Sequence, residues 1–169
     1  TQALQFRTER GWNIVKDKKK GYRRVVPSPY PKRILEIEVI KSLIRDGTIV
    51  ITVGGGGIPV VFEKNHYRGI EAVIDKDLAS SLLARHLDAQ RLIIITDVDS
   101  VYVDYGKPTQ RPLGLVDLKE IKSHYEDGQF PAGSMGSKIR AAIEFLEYGG
   151  KSAIITQPGD LLAAVRGEA

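Results

Sequence analysis

Four consecutive glycines, Gly54 to Gly57, interrupt an apolar stretch that reads TIVITVGGGGIPVVF at residues 48–62. Glycine removes the side chain and tolerates positive φ, so the backbone N–H groups of such a loop can approach a ligand closely. A phosphate or another small anion suits a set of backbone donors. An ordinary turn is the alternative, but one or two glycines would suffice for it. The pattern therefore favours an anion-binding loop.

Lysines and carboxylates occur at the predicted starts of two helices. Asp75 or Asp77 is a good N-cap for a helix that continues as LASSLLARHLDA. Lys76 between them opposes the helix dipole, and an anionic ligand would favour a cation at that position. Lys138 follows a Gly/Ser loop at residues 133–137. Backbone donors, cations and carboxylates together are what phosphoryl transfer requires.

The sequence lacks the residues and motifs that several other reaction types require. The chain has no Cys, and its three His residues are far apart and in no metal-ligand spacing. Nucleophilic and zinc-type mechanisms are therefore disfavoured, and no residue is predicted as a metal ligand. No GxxxxGK[ST] or GxGxxG motif occurs. Asp97, Asp99 and Asp104 resemble a calcium loop only superficially, because the Gly and the distal Glu of that pattern are missing.

The order of predicted elements places these residues along one edge of a sheet. Buried strands are predicted at residues 48–53, 91–96 and 152–156, and a hairpin formed by 60–62 and 69–74 turns near Asn65. Helices are predicted at 3–10, 34–45, 78–89, 116–126 and 158–166, and residues 133–138 are predicted to open a further helix with Ile139, Ile143 and Leu146 on one face. This alternation predicts an α/β fold, a three-layer α-β-α sandwich with a mainly parallel sheet. Ligands of such sheets bind beyond the carboxyl ends of the strands.

Composition and charge are those of a soluble globular domain with an uneven charge distribution. The 169 residues are 42% hydrophobic and 27% charged, and no apolar run approaches the roughly 20 residues of a membrane-spanning helix. Residues 1–33 carry ten Lys/Arg and two Asp/Glu, so +8, whereas the remainder carries fifteen and nineteen, so −4. A basic segment of this kind suits nucleic acid, a membrane surface or anionic substrates. The absence of Cys suits a reducing cytoplasm.

The basic segment is predicted to be irregular and to form a domain of its own. Three prolines within residues 16–32 exclude a regular helix there. Lys18, Lys19 and Lys20 are predicted to lie in a solvated loop, whereas at least one of Arg23 and Arg24 is expected to be fixed by packing and to point at an anion. Residues 1–33 are therefore predicted to be a basic, proline-containing lobe segment, and residues 34–169 a nucleotide-binding α/β domain.

Five segments resemble the carbamate kinases of the amino-acid kinase superfamily. They are GYRRVVPSP at 21–29, GGGGIPV at 54–60, EAVIDKDLAS at 71–80, TDVDSVY at 96–102 and FPAGSMGSK at 130–138. Their order and spacing fit, and the resemblance covers nearly all of the chain. It implies reversible phosphoryl transfer between ATP and carbamate with Mg²⁺, usually run toward ATP synthesis from carbamoyl phosphate and ADP, in a cytoplasmic homodimer of arginine metabolism.

The resemblance also implies roles for individual residues. Lys76 and Lys138 would hold the transferred phosphoryl group, and Asp77 would orient both lysines. The substrate side would be bordered by glycines, namely Gly54, Gly55 and Gly56. The nucleotide would be surrounded by Thr96, Asp97, Val101, Tyr102, Tyr105, Gly133, Ser134 and Met135. For Tyr102, Tyr105 and Met135, packing in the core is the alternative, since a buried face and an adenine pocket use the same residue types.

The sequence departs from the pattern of these enzymes in several places. Their N-terminal half supplies a further Gly-rich phosphate loop, another substrate segment and a further lysine, and no segment here matches these. Ser100 replaces a glycine that is usual in TDVDGV, and Pro131 occupies a position where related sequences carry a basic residue. The chain is therefore expected to be the nucleotide-binding half with part of a protruding lobe, incomplete for catalysis by itself.

Three other functions stay open at the level of sequence. The first is another amino-acid kinase, acting on an acylglutamate or a nucleoside monophosphate. The second is a nucleotide-binding module without catalysis. The third is a nucleic-acid module that uses residues 16–24 and nearby aromatic side chains, although no recognised nucleic-acid motif is present.

Overall fold

The structure is a computed structural model that describes residues 2–17 and 21–168, and it contains two compact units. The hairpin unit comprises residues 1–29 and 58–74, and the core unit comprises residues 30–57 and 75–169. The division predicted from composition, residues 1–33 and 34–169, stays a prediction. The compact units differ from it in placing residues 58–74 with the N-terminal residues. Lys18, Lys19 and Lys20 lie outside the described residues.

The hairpin unit is built from one helix and two antiparallel hairpins. Helix α1 (Gln2–Arg10) ends at Gly11, whose φ is +64°. Strands β1 (Ile14–Asp17) and β2 (Gly21–Arg24) pair with each other, as do β3 (Val60–Glu63) and β4 (His66–Gly69). The turn between β3 and β4 is Lys64-Asn65, and both residues have positive φ, as a two-residue type I′ hairpin turn requires.

An aromatic and arginine stack links α1 to the first hairpin. The ring centroids of Phe6 and Trp12 are 5.2 Å apart. The guanidinium of Arg10 lies 4.7 Å from the ring of Phe6 and 5.1 Å from that of Trp12, and the guanidinium of Arg24 lies 4.2 Å from Trp12. None of the described residues of this unit is buried. Ring contacts and hairpin hydrogen bonds therefore stabilise it in place of an apolar core.

The core unit contains most of the regular structure. Its elements are α2 (Ile37–Arg45), α3 (Lys76–His86), β5 (Arg91–Ile95), β6 (Val101–Val103), β7 (Arg111–Leu113), α4 (Leu118–Glu126), α5 (Met135–Glu147), β8 (Ser152–Thr156), a 3₁₀ turn (Pro158–Asp160) and α6 (Leu161–Arg166). Asp117 caps α4 by accepting from the N–H of Glu120, and Gly128, with φ of +72°, follows its end. These helix boundaries agree closely with the sequence prediction.

A parallel pair of strands forms the centre of the core unit. Strands β5 and β8 are parallel, and Leu92 and Ile94 of β5 are buried in a cluster with side chains of α3 and α5. Arg91 lies on the opposite face of β5 and donates from Nη1 to the carbonyl oxygen of Val165 in α6, 3.2 Å away. Helices therefore contact both faces of the strands, and the predicted α/β class is confirmed. Of the predicted mainly parallel sheet, the described residues show the one parallel pair β5–β8.

A second apolar cluster joins the antiparallel hairpin β6–β7 to α4 and α5. Val101, Val103 and Leu113 supply the strand side of this cluster, and Ile121 of α4 and Ile139 of α5 supply the helix side. Helix α5 thus contributes to both clusters. Because it is packed on two sides, its first turn is held in a defined position relative to α3 and α4.

The predicted strand at residues 48–53 is wrong. These residues form no strand and pair with no described strand, and Ile49 and Ile51 are 94% and 97% exposed. An apolar run has strand propensity, but strand formation requires a hydrogen-bonding neighbour, and none lies beside this run in the described part of the chain. Ile93 and Ile95 are also partly exposed, so β5 is buried on one face and not on both.

Three further differences concern short antiparallel strands. The second strand of the predicted hairpin is His66–Gly69 and not residues 69–74. The pairs β1–β2 and β6–β7 were not predicted, since the first lies within a segment predicted to be irregular. Strands of three or four residues that contain charged residues or proline are too short for an alternating hydrophobic pattern to be recognised in the sequence.

Candidate active site

Two lysines share one buried carboxylate at the start of two helices. Asp77, in the first turn of α3, is 6% exposed. Its Oδ2 accepts from Nζ of Lys138, in the first turn of α5, at 2.8 Å, and lies 3.6 Å from Nζ of Lys76. The side chain of Lys138 is only 12% exposed, whereas that of Lys76 is 58% exposed. Asp77 therefore fixes Lys138 firmly and leaves Lys76 directed at solvent.

The two helix N-termini beside these lysines differ in their caps. Asp75 accepts from the N–H groups of Asp77 and Leu78, at 2.8 and 3.2 Å, and so closes the N-terminus of α3. Ser134 precedes α5 with φ of −136° and ψ of −109°, and its side chain makes no capping hydrogen bond. The first turn of α5, which carries Lys138, therefore has no side-chain cap and no acidic residue of its own.

Gly136 fixes the path of the loop before α5. Its N–H donates to the carbonyl oxygen of Pro131 at 2.9 Å, and a Cβ at this position would lie 2.7 Å from the same oxygen. Only glycine permits this approach of the loop to the helix. Sequence reasoning quoted Gly136 within a motif but gave it no role. A glycine inside the first turn of a helix is the signal that would have identified it.

The glycine loop has an unusual backbone. Gly54, Gly56 and Gly57 have positive φ, and Val53 before them has φ of +64°, which is a strained value for a β-branched residue. A Cβ on Gly54, Gly55 or Gly57 would meet no atom within 4 Å, so the backbone conformation and not close packing requires glycine. The N–H of Gly56 donates to the carbonyl of Val53 at 2.7 Å and is used within the turn.

The predicted site residues fall into separate groups. Lys76, Asp77 and Lys138 are in direct contact. Within the described residues, no hydrogen bond or ion pair joins the glycine loop to these three side chains. Binding of a ligand by that loop therefore stays a prediction.

The residues predicted to surround the nucleotide lie in the segments from β5 to just after β6 and at the start of α5. The N–H of Thr96 donates to the carbonyl of Thr156 at 2.9 Å, and its hydroxyl donates to the carboxylate of Asp97 at 3.3 Å. Val101 is buried, and Met135 is partly buried and packs against the same apolar cluster. For Met135, contact with the core is thus observed. Gly133 has φ of +73°, and Ser134 precedes α5, as described above.

The two tyrosines of this region are accessible. Tyr105 is 70% exposed, and its ring centroid lies 6.3 Å from that of Tyr102. The hydroxyl of Tyr102 donates to the carboxylate of Asp99 at 3.1 Å, and this hydrogen bond raises the pKa of Tyr102 above its usual value. The exposed ring of Tyr105 beside the half-buried ring of Tyr102 offers a surface on which a planar base can stack.

Asp104 organises the turn that follows strand β6. It has φ of +53°, and its carboxylate accepts from Nζ of Lys107 at 2.8 Å and from the hydroxyl of Thr109 at 3.0 Å. The hydrogen bond from Lys107, followed by that from Thr109, lowers the pKa of Asp104. Gln129 accepts from the N–H of Asp104 at 2.8 Å. Sequence reasoning considered Asp104 only as part of a calcium pattern and missed this role.

Of the two arginines predicted to contact an anion, Arg24 is fixed by packing. Besides the stack on Trp12, its Nη2 forms a salt bridge of 2.7 Å with Oε1 of Glu71. His66 is an exposed residue of strand β4 in the second hairpin. In residues 2–17 and 21–168, no group of three or more His, Asp or Glu side chains is arranged to hold a metal ion. None of the helices described is both long and apolar enough to cross a membrane.

Comparison with known proteins adds three findings. The sequence model of the amino acid kinase family matches residues 5–157. A carbamate kinase from Thermoplasma volcanium is 55% identical over 168 residues, which are 99% of this chain and 55% of the relative. A carbamate kinase-like protein of Escherichia coli is 51% identical over 158 residues, which are 93% of this chain and 50% of the relative.

A solved structure supports the same relationship at the level of the fold. The carbamate kinase from Giardia lamblia bound to AMP-PNP superposes with a TM-score of 0.89 and 44% sequence identity, and the match covers 99% of this chain and 53% of that one. The chain thus spans about half the length of the curated relatives it matches.

Proposed function

The chain belongs to the amino acid kinase family, and from this premise we propose that the protein is a carbamate kinase. It transfers a phosphoryl group reversibly between ATP and carbamate, and runs toward ATP synthesis. In that direction an oxygen of the ADP β-phosphate forms a bond to the phosphorus of carbamoyl phosphate. The bond from phosphorus to the carbamate oxygen breaks, and carbamate leaves with the electron pair.

The cluster of Lys76, Asp77 and Lys138 is the observation that carries this proposal. A transferring phosphoryl group carries negative charge on its oxygens, and positioned cations stabilise that charge. Asp77 holds Lys138 at 2.8 Å, so this lysine needs little reorganisation to face the phosphoryl group. Lys76 is mostly exposed and is available to an anion. The N-terminus of α5, which has no side-chain cap, supplies further positive potential beside Lys138.

The nucleotide is assigned to the region between β5 and β6. Thr96, Asp97, Val101, Tyr102, Tyr105, Met135, Gly133 and Ser134 surround it in this proposal. The accessible rings of Tyr102 and Tyr105 suit an adenine base, and Gly133 and Ser134 lead directly into the turn that carries Lys138. The relative from Giardia lamblia was solved with AMP-PNP, an ATP analogue, which supports a nucleotide site in this fold.

Gly54, Gly55 and Gly56 are assigned to the carbamate side of the reaction. The positive φ values of this loop expose backbone groups without side chains, and a small planar anion such as carbamate suits such a surface. The N–H of Gly56 is engaged within the turn, so Gly54 and Gly55 are the better donors in this assignment.

Mg²⁺, a homodimer and a cytoplasmic location complete the proposal. No cluster of three carboxylate or imidazole ligands occurs among the described residues. Mg²⁺ commonly keeps several waters and binds through substrate phosphates with one or two carboxylates, so it would enter with the nucleotide. When bound, it would neutralise phosphate charge. The side chains on this chain would supply the lysines and backbone donors described above.

The test is carbamoyl phosphate-dependent formation of ATP by the intact gene product. We expect Lys76→Ala with Lys138→Ala to lower kcat by at least about 10³-fold, because two cations that stabilise transferring charge are lost together. Lys122→Ala is the matched control, since Lys122 is also a lysine in an ion pair, with Glu147, but it is not assigned to the site. Activity that survives the double substitution would contradict the proposal.

A further inference from the structure

A small cavity opens in the hairpin unit beside Trp12. Its volume is about 150 Å³, and it is lined by the residues that connect α1 to β1, by the end of β2 and by the segment that carries Glu71. The charged and aromatic residues of its lining are Arg10, Trp12, Arg24 and Glu71. All of them belong to one compact unit. Since a water molecule takes up about 30 Å³, the cavity can hold a small molecule of several heavy atoms.

Two arginines lie against the same ring in this cavity, and one of them has a carboxylate partner. The guanidinium of Arg24 lies 4.2 Å from the ring of Trp12 and forms a salt bridge of 2.7 Å with Glu71. The guanidinium of Arg10 lies 5.1 Å from the ring of Trp12 and 4.7 Å from that of Phe6. Among the described residues, no carboxylate forms an ion pair or a hydrogen bond with Arg10. The cavity therefore contains a positive charge that no acidic side chain of these residues balances.

The two rings restrict the side chain of Arg10 in the free protein. An exposed arginine normally loses side-chain freedom when it binds an anion, which weakens the binding. Contacts with Phe6 and Trp12 reduce that loss, because the guanidinium is already held beside the cavity. Contacts with ring carbons satisfy none of the five N–H donors of the guanidinium. These donors can form two parallel hydrogen bonds to a carboxylate or a phosphate.

The charge of the hairpin unit also favours an anion. This unit carries ten Lys/Arg and four Asp/Glu, so +6, whereas the core unit carries fifteen and seventeen, so −2. Two features of the cavity oppose an anion, namely the carboxylate of Glu71 and the C-terminal end of α1. The salt bridge to Arg24 offsets the first. Arg7 and Arg10, in the last turn of α1, offset the second.

We propose that the cavity beside Trp12 binds a small oxyanion, a carboxylate or a phosphate, which pairs with Arg10. The bound anion also stabilises the first hairpin, because the N–H of Val25 donates to the carbonyl of Asn13 at 2.8 Å and both residues line the cavity. A ligand that binds the folded unit and not the unfolded one stabilises it by mass action. The inference is independent of the proposed function, since none of these residues is assigned to phosphoryl transfer.

The experiment is a titration of the 169-residue chain with sodium phosphate and, separately, with sodium acetate. The readout is the NMR chemical shift of the indole N–H of Trp12, a single signal because the chain has one tryptophan. We expect a saturable shift, and the anion that saturates at the lower concentration identifies phosphate or carboxylate as the preferred class. Sodium chloride at matched ionic strength should give no saturable shift. No saturation with either anion, or an equal response to chloride, would overturn the proposal.

Variants of Arg10 test its role in binding. Arg10→Gln should raise the Kd of the anion about tenfold, because charge-assisted hydrogen bonds are lost. Arg10→Lys keeps the charge but not the planar fork, and should raise the Kd about threefold. An unchanged Kd in Arg10→Gln would contradict the proposal.

Arg68→Gln is the matched control. It removes the same charge from the same unit, but Arg68 forms an exposed ion pair with Glu63, at 3.1 Å, in the second hairpin and does not line the cavity. It should change the Kd by less than about twofold. Equal losses in Arg68→Gln and Arg10→Gln would show that the net charge of the unit attracts the anion, and would overturn the assignment of a site.

Two further measurements test the proposal even if Arg10→Gln does not fold. Glu71→Gln should lower the Kd about threefold, because it removes the one carboxylate among the described residues that line the cavity and leaves Arg24 to the anion. An unchanged or higher Kd would contradict the proposal. In the wild type, amide hydrogen exchange at Val25 should slow about threefold at a saturating concentration of the anion and stay unchanged in sodium chloride. Exchange that the anion does not slow would also overturn it.

Discussion

In the core unit, aliphatic and aromatic side chains such as Ile139, Ala141 and Phe145 are almost completely removed from solvent. In the hairpin unit no described residue is buried, and its contacts are strand pairings, ring stacks and exposed ion pairs. Burial of apolar area stabilises a structure far more than such surface contacts. Lys76, Asp77 and Lys138, which are proposed for chemistry, lie in the first turns of helices in the core unit. Burial in that unit therefore fixes their geometry more firmly than surface contacts would.

The largest expected difference in stability is between alanine substitutions of one phenylalanine from each unit. Phe145→Ala should lower the free energy of unfolding by about 3–5 kcal/mol, because Phe145 is 1% exposed and both its contacts and its volume would be lost. Phe62→Ala in the hairpin unit should cost about 1 kcal/mol, the scale of the exposed pair it forms with Tyr67, 5.0 Å away. Denaturant unfolding followed by circular dichroism measures both values. Equal losses would contradict the comparison.

An ion pair from each unit gives the next largest effect. Asp77→Ala should cost roughly 3 kcal/mol, since it leaves the ammonium of Lys138 largely buried without its carboxylate. Arg68→Gln should cost less than about 0.5 kcal/mol, because both members of the Arg68–Glu63 pair are about half exposed. Thermal and denaturant unfolding of the two variants measure the difference. If Arg68→Gln and Asp77→Ala lower the free energy of unfolding equally, burial of the ion pair does not explain the difference expected between the two units.

The smallest expected effect is a pH dependence of stability that comes from Asp104, a half-buried residue of the core unit. The hydrogen bonds from Lys107 and Thr109 lower the pKa of Asp104 below its ordinary value of 3.8. Its contribution to stability is therefore present above that ordinary value and is lost as the pH falls through the lower, folded-state pKa. Asp104→Asn, which tolerates the positive φ, should be less stable than wild type at about pH 7 and equally stable near pH 2. A difference independent of pH would contradict this assignment.

Helices and caps were the part of the fold that sequence reasoning could predict. Asp75 acts through neighbours one turn away, so its role as an N-cap is visible in a short window of sequence. Strands β5 and β8 were also found, because each is a continuous run of mostly aliphatic residues. The residues 48–53 have the same composition and form no strand, since pairing depends on a partner that a local pattern does not reveal.

The candidate site could be predicted as two lysines around Asp77, but the contacts of other residues could not. Lys76, Asp77 and Lys138 were identified together from a family resemblance, and the structure brings the three into contact. Their roles in catalysis stay predictions. The link from Arg24 to Glu71 spans 47 positions of the chain, and the close approach of Gly136 to Pro131 depends on the packing of α5. The first has no signature in residue spacing, and for the second the sequence signals only a glycine in the first turn of a helix, not its contact with Pro131.

The position of Trp12 has a consequence for the way unfolding of this protein is observed. It is the only tryptophan of the chain, and it lies in the unit in which no described residue is buried. Intrinsic emission above the tyrosine range therefore reports on the hairpin unit, whereas the far-ultraviolet helical signal comes mainly from the core unit. If the two units open separately, the two signals will give different midpoints. A stability measured from emission alone would then describe the smaller unit and not the one that carries Lys76, Asp77 and Lys138.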